Sequence, residues 1–108
     1  MATIDDFNAT EIKIGKIISA EKIPETDKLL CLVVDFGEEN PRQVVSGIAP
    51  YFEDTETLVG ICCAFATNLE PRIIKGFESQ AMILGIKTED NFSLLIPSHN
   101  VLLGSKAG

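Results

Sequence analysis

The chain of 108 residues has room for one core and none for a separate catalytic domain, because chains of about 100–150 residues normally build a single domain. Its hydrophobic content of 45% argues against an unfolded segment, and no apolar run reaches the ~18 residues needed to span a bilayer. Sixteen acids against nine bases leave a net charge of −7, opposite in sign to the basic surface usual on nucleic-acid binders. Contact with a polyanion must therefore rest on local clustering of charge, since fields decay within about 8 Å at physiological salt. The first seven residues lack the basic flank and apolar stretch of a secretory leader, so a cytoplasmic location is expected.

In chain order, residues 1–10 form an arm ahead of the first strand. Ile12 and Ile14 alternate with Lys13, and Ile17-Ile18 break that phase after Gly15, which predicts a strand with a bulge or tight bend at the glycine. Residues 29–36 read as a second strand, stopped by Gly37-Glu38-Glu39-Asn40-Pro41. Residues 43–46 form a short β-branched third strand. Residues 48–59 contain Asp54-Thr55-Glu56, whose acids suit the positive end of a short helix. Residues 61–66 and 82–86 are the fourth and fifth strands, and residues 92–96 a sixth, before Pro97. Short strands parted by turn signals, with one helix after the third, suit a small antiparallel barrel.

Cys31, Cys62 and Cys63 are odd in number, form no Cys-x-x-Cys pair and lie in apolar runs, so they read as reduced thiols that behave as small hydrophobes. His99, the single histidine, has no cysteine near it. No metal site, cofactor or catalytic set of nucleophile, base and orienter emerges. The chain reads as a binding module and not as an enzyme.

The most informative stretch is Asn68-Leu69-Glu70-Pro71-Arg72-Ile73-Ile74-Lys75-Gly76-Phe77-Glu78-Ser79-Gln80-Ala81-Met82. A connection this long with ordered polar groups is usually functional, whereas a hairpin needs only about two to five residues. Arg72 and Lys75 can hold phosphate, and Ser79 and Gln80 carry donors and acceptors suited to nucleotide edges. Composition alone also allows a plain solvated loop. Asn68 can be a turn-former before Pro71 and Met82 a core filler, while Phe77 and Tyr51 can either stack on bases or pack inside.

The order of residues in this stretch resembles the signature of the tRNA-binding domain found on methionyl-tRNA synthetases and on the endothelial-monocyte-activating polypeptide. That domain also occurs as stand-alone proteins and in a secretion-chaperone-like branch. The pattern Asn-Leu-x-Pro-x-x-x-x-Gly-x-x-Ser-x-x-Met is met at every fixed position. Lys13-Ile14-Gly15-Lys16-Ile17, Pro24-Glu25-Thr26-Asp27-Lys28-Leu29, Val34-Asp35-Phe36-Gly37 and Arg42-Gln43-Val44-Val45-Ser46-Gly47-Ile48-Ala49 resemble further family segments, in family order, over roughly residues 11–106. Glu70 and Ile73 stand where relatives often carry lysine, as does Ile61 after Gly60, and Ala81 replaces a common glycine. Fewer phosphate contacts weaken binding steeply.

The resemblance implies an all-β fold, a five-stranded oligonucleotide-binding (OB) barrel with a short helix and a C-terminal extension. It implies one domain over residues 1–108, with the arm at 1–10, the barrel at 11–93 and the extension at 94–108. By family position Arg72 and Lys75 are the main phosphate contacts, and Lys16, Lys28 and Arg42 weaker ones. Asn68 is expected to brace the loop, and Ser79 or Gln80 to face the ligand. The partners implied are tRNA, an aminoacyl-tRNA synthetase and a second copy of the chain. The apolar residues 94–96 and 101–103 serve either a strand sealing the barrel edge or a two-fold interface, onto which Ile4 and Phe7 could pack. The alternative function is a dimeric, chaperone-like protein that binds extended peptides, a reading favoured by the low basic content and the Ile4-Asp5-Asp6-Phe7 opening.

Overall fold

Strict alternation of buried and half-buried positions, along a mostly apolar run, marks the second strand. In β2 (Leu30–Asp35), Leu30, Leu32 and Val34 point inward with no exposed surface, while Cys31, Val33 and Asp35 are half-buried on the outer face. Full burial of each such side chain contributes about 1.5–3 kcal/mol. The computed structural model describes residues 1–108. A five-residue helix α1 (Ile4–Asn8) comes first, opened by a capping box in which Thr3 and Asp6 exchange side-chain and backbone hydrogen bonds. The arm is thus partly helical, which its few residues did not announce.

Strand β1 (Ile12–Lys22) precedes β2, and β3 (Arg42–Ser46) follows it. Two 3₁₀ turns, Ala49–Tyr51 and Thr55–Leu58, occupy the place of the expected helix. Asp54 caps the second through the Glu56 amide. The remaining strands are β4 (Cys62–Ala66), β5 (Arg72–Ile74), β6 (Phe77–Ser79), β7 (Met82–Ile83), β8 (Gly85–Lys87), β9 (Phe92–Leu94) and β10 (Lys106–Ala107). The main sheet runs β3-β2-β1-β4-β7, antiparallel throughout, with β10 beside β1. It curls into the half-barrel of an OB-like fold around Ile17, Leu32, Val44, Leu58, Cys63 and Phe65. Phe36 meets Phe65 edge to face at 5.2 Å.

Three expectations about local structure need correction. The bulge in β1 falls between Ile17 and Ser19, leaving Ile18 exposed, and not at Gly15. Gly15 instead gives room to neighbours: a Cβ there would lie 2.6 Å from Phe36 Cε1 and from Val34 Cγ1. The strand expected over residues 82–86 breaks at Leu84 into β7 and β8, which join different sheets; β8 pairs with β9. The long connection between β4 and β7 is itself a hairpin, β5 with β6.

At the C-terminus, Gly104 donates to the Ile14 carbonyl and the Ser105 carbonyl accepts the Ile14 amide, so the chain end covers the β1 edge beyond the reach of β2. On the other side, the Ala64 amide donates to the Leu95 carbonyl. The backbone of both segments is therefore used, while the side chains of Leu95, Ile96, Val101 and Leu102 remain exposed, as do those of Ile4 and Phe7.

Candidate nucleic-acid interface

The hairpin of β5 and β6 turns on two residues, Lys75 and Gly76, between the paired Ile74 and Phe77. Both have positive φ, 52° and 83°, the backbone signature of a type I′ turn whose twist matches the flanking strands. Lys75 accepts a conformation that disfavours side chains by about 1–2 kcal/mol, and it thereby stands at the hairpin tip. Arg72, at the start of β5, is exposed, as is Lys75, and neither forms an ion pair. Of the nine cations only Lys13 and Arg42 are paired, with Glu11 and Glu38. Ile73 is 69% exposed between the two hairpin cations, where lysine would add charge.

The base of the hairpin is held by side chains on both flanks. Asn68 Oδ1 accepts the Glu11 amide and its Nδ2 donates to the Ala9 carbonyl, both at 2.8 Å, tying the loop to the arm. Ser79 is buried: its hydroxyl accepts the Val45 amide at 2.9 Å and donates to the Ala81 carbonyl at 3.0 Å. Gln80 Oε1 accepts the Gln43 amide, and the Gln80 amide donates to the Gln43 carbonyl, each at 2.8 Å. The free edge of β3 is thus met by two consecutive side chains and one amide in place of a strand ladder. Gln43 Nε2 reaches the Glu78 carbonyl on the hairpin itself.

The other expected residues are spread out. Arg42 forms a two-bond pair with Glu38, lies 5.3 Å above the Phe36 ring and donates inward to the Thr67 and Gln80 carbonyls. Lys16 sits on β1 opposite Asp35, and Lys28 in the turn before β2, both exposed. Neither borders the small cleft at the hairpin base, which is lined by Leu69, Glu70, Arg72, Ile74, Ser79 and Met82 among others. A wider cleft of about 350 Å³ opens between the outer face of the sheet and Phe77, with Lys22, Cys31, Val33 and Gln43 in its wall. Lys22 was not singled out from the sequence, because a lone lysine at a strand end carries no signal there. The pairing of Glu38 with Arg42 was legible in principle, as opposite charges four residues apart across a turn.

Residues 12–106 match the family model described as "Putative tRNA binding domain". The chain belongs to this family. It is 41% identical over 104 residues to a methionine–tRNA ligase of Thermotoga maritima, a match covering 96% of this chain and 16% of that protein. A methionine–tRNA ligase of Methanoregula boonei is 48% identical over 106 residues, covering 98% of this chain and 15% of the ligase. The chain therefore spans about one-sixth of the length of these curated relatives. Among solved structures, a MetRS-related protein of Pyrococcus horikoshii superposes with a TM-score of 0.90 at 36% identity, covering 100% of this chain and 98% of that one. The chaperone CsaA of Bacillus anthracis superposes with a TM-score of 0.83 at 27% identity, covering 100% and 99%. In this member of the tRNA-binding domain family, Ser79 and Gln80 of the signature hold the hairpin to β3, and Asn68 holds it to the arm.

Proposed function

We propose that the chain is a non-catalytic module that holds tRNA, acting beside or within a methionine–tRNA ligase. One observation carries this reading: the family's signature stretch folds into a braced hairpin whose two cations, Arg72 and Lys75, are exposed and unpaired. Phosphate contacts supply most of the affinity for nucleic acid, and a fixed hairpin aims two of them. Lys16 and Lys28 add weaker, more distant attraction. Asn68, Ser79 and Gln80 set the posture of the hairpin. Kinship with methionine–tRNA ligases supports a cytoplasmic place for the module.

The test is a mobility-shift titration with total tRNA at two salt concentrations, on the wild type and on R72A/K75A. The double variant should bind more weakly and lose up to about two units of salt slope. Unchanged affinity and slope would remove the hairpin from the site. Binding of an unfolded peptide but no tRNA, even at low salt, would instead favour the peptide-holding reading, which the likeness to CsaA and the acidic net charge support.

The module also acts as a homodimer in this reading. Leu95, Ile96, Val101 and Leu102 form an exposed apolar surface at the chain end, with Ile4 and Phe7 exposed on the arm. A stable interface buries at least about 1,000 Å². Sedimentation at low micromolar concentration should show twice the 11.7 kDa chain mass, and a single species at that mass would exclude the dimer.

A further inference from the structure

The guanidinium of Arg42 is the most fully engaged cation in the molecule. Its Nε donates to Glu38 Oε1 at 2.9 Å and one terminal nitrogen to Glu38 Oε2 at 2.7 Å. The other terminal nitrogen donates to the Thr67 carbonyl at 2.7 Å and to the Gln80 carbonyl at 3.3 Å. Four of its five N–H groups are thus directed at protein oxygens. The Phe36 ring lies below its plane at 5.3 Å, and the Glu38 carboxylate offsets its charge. A phosphate could take a two-bond grip on Arg42 only by displacing that carboxylate.

The two carbonyls it reaches have a shared meaning in the fold. Thr67 is the residue after β4, where the chain leaves the main sheet; Gln80 lies between β6 and β7, where it returns. Everything between them, Arg72 and Lys75 included, is the excursion that forms the hairpin. We infer that Arg42 is a positioning residue for tRNA binding, a clamp across both ends of the hairpin, and not a phosphate contact. Glu38 holds the clamp in place, and Gln80 fixes the same return point from its other side through Gln43. This inference rests on the tRNA-holding reading for its functional half, while the clamp itself does not.

Lysine separates the two roles, because it keeps the charge but lacks the planar fork that reaches a carboxylate and two carbonyls together. The experiment compares the wild type, R42K and R42Q in tRNA titrations across salt, with amide hydrogen exchange on the free proteins. Both variants should weaken tRNA binding by about ten-fold, as loss of a supporting residue commonly does, with the salt slope unchanged. Exchange should quicken over residues 68–79 and stay slow in β1 and β2, which also shows that the barrel remains folded. R42Q serves alone should R42K fail to fold, and the reverse. Wild-type affinity in R42K would overturn the inference. A slope flattened by about one unit in R42Q with no change in hairpin exchange would overturn it equally. If the wild type binds no tRNA, the tRNA reading fails and the functional half fails with it, while unchanged exchange in the variants would separately refute the clamp.

Discussion

The Ser79 hydroxyl accepts the Val45 amide hydrogen at 2.9 Å, so that one buried side chain stands where the backbone of a neighbouring strand would otherwise be. It also donates to the Ala81 carbonyl, and no buried polar side-chain atom in the molecule lacks a partner. S79A should destabilise the fold by about 1–3 kcal/mol, because the Val45 amide keeps its burial and loses its acceptor. Denaturant unfolding measures this. A loss below about 0.5 kcal/mol would show that water replaces the hydroxyl without penalty.

Gly15 predicts a steric effect. Alanine there would place its Cβ 2.6 Å from both the Phe36 ring and Val34. G15A should lower stability by about 1–3 kcal/mol through overpacking, against the small gain expected from replacing glycine in a strand. A Tm equal to or above that of the wild type would refute this packing account.

The thiols should react in an order set by burial. Cys63 is enclosed and burial pushes its pKa up to about 12, so almost no thiolate is present near neutral pH. Cys31 and Cys62 are half-buried on the other face of their strands. A thiol reagent should modify Cys31 and Cys62 in the folded protein and Cys63 only on unfolding. Denatured protein should titrate three free thiols per chain. Prompt labelling of Cys63 in the native state would contradict the structure.

Acid should loosen the Arg42 clamp. The hydrogen bond from Arg42 holds the Glu38 carboxyl below its ordinary value of 4.5 in the folded state. A depressed folded value means that this pair stabilises fully above the unfolded value and that its contribution vanishes as pH falls through the folded one. Glu38 is partly exposed, so the effect is small. In thermal unfolding from pH 6 to pH 3, the gap between wild type and E38Q should close toward acid. A gap that stays constant would mean that the pair carries no pH-linked stability.

Glu70 lies beside Arg72 at the cleft of the hairpin base. E70K exchanges a repulsion toward phosphate for an attraction and should tighten tRNA binding, with about one unit more salt slope. Binding that is unchanged or weaker at low salt would place the RNA away from this face.

Much of this was legible along the chain. The mostly apolar run of residues 29–36, stopped by Gly37-Glu38-Glu39-Asn40-Pro41, was readable as a strand from its length and its bounding turn. Asp54 before Thr55-Glu56 marks a capped turn by purely local chemistry. The signature of Asn68, Gly76, Ser79 and Met82, taken in order with the four segments at residues 13–17, 24–29, 34–37 and 42–49, was enough to identify the family. Lys75-Gly76 between Ile74 and Phe77 also had the chemistry of a two-residue turn, although the length of the connection concealed it.

The tertiary structure alone decided what those residues hold. Ser79 and Val45 are 34 positions apart, Gln80 and Gln43 37, Arg42 and Thr67 25, and Asn68 and Ala9 59. A hydrogen bond is specified by the direction in which a donor meets an acceptor, and for pairs this distant that direction exists only once the sheet has curled. The same holds for Gly15, whose missing side chain answers to Val34 on the neighbouring strand and to Phe36 just past its end, and not to its own bend. Sequence by itself determined the first four strands, the two cations of the signature stretch and the family, because apolar runs, charge and residue order are local properties. Which polar groups are free to meet a ligand and which are already engaged by the barrel was settled by packing, where each buried donor must find its acceptor.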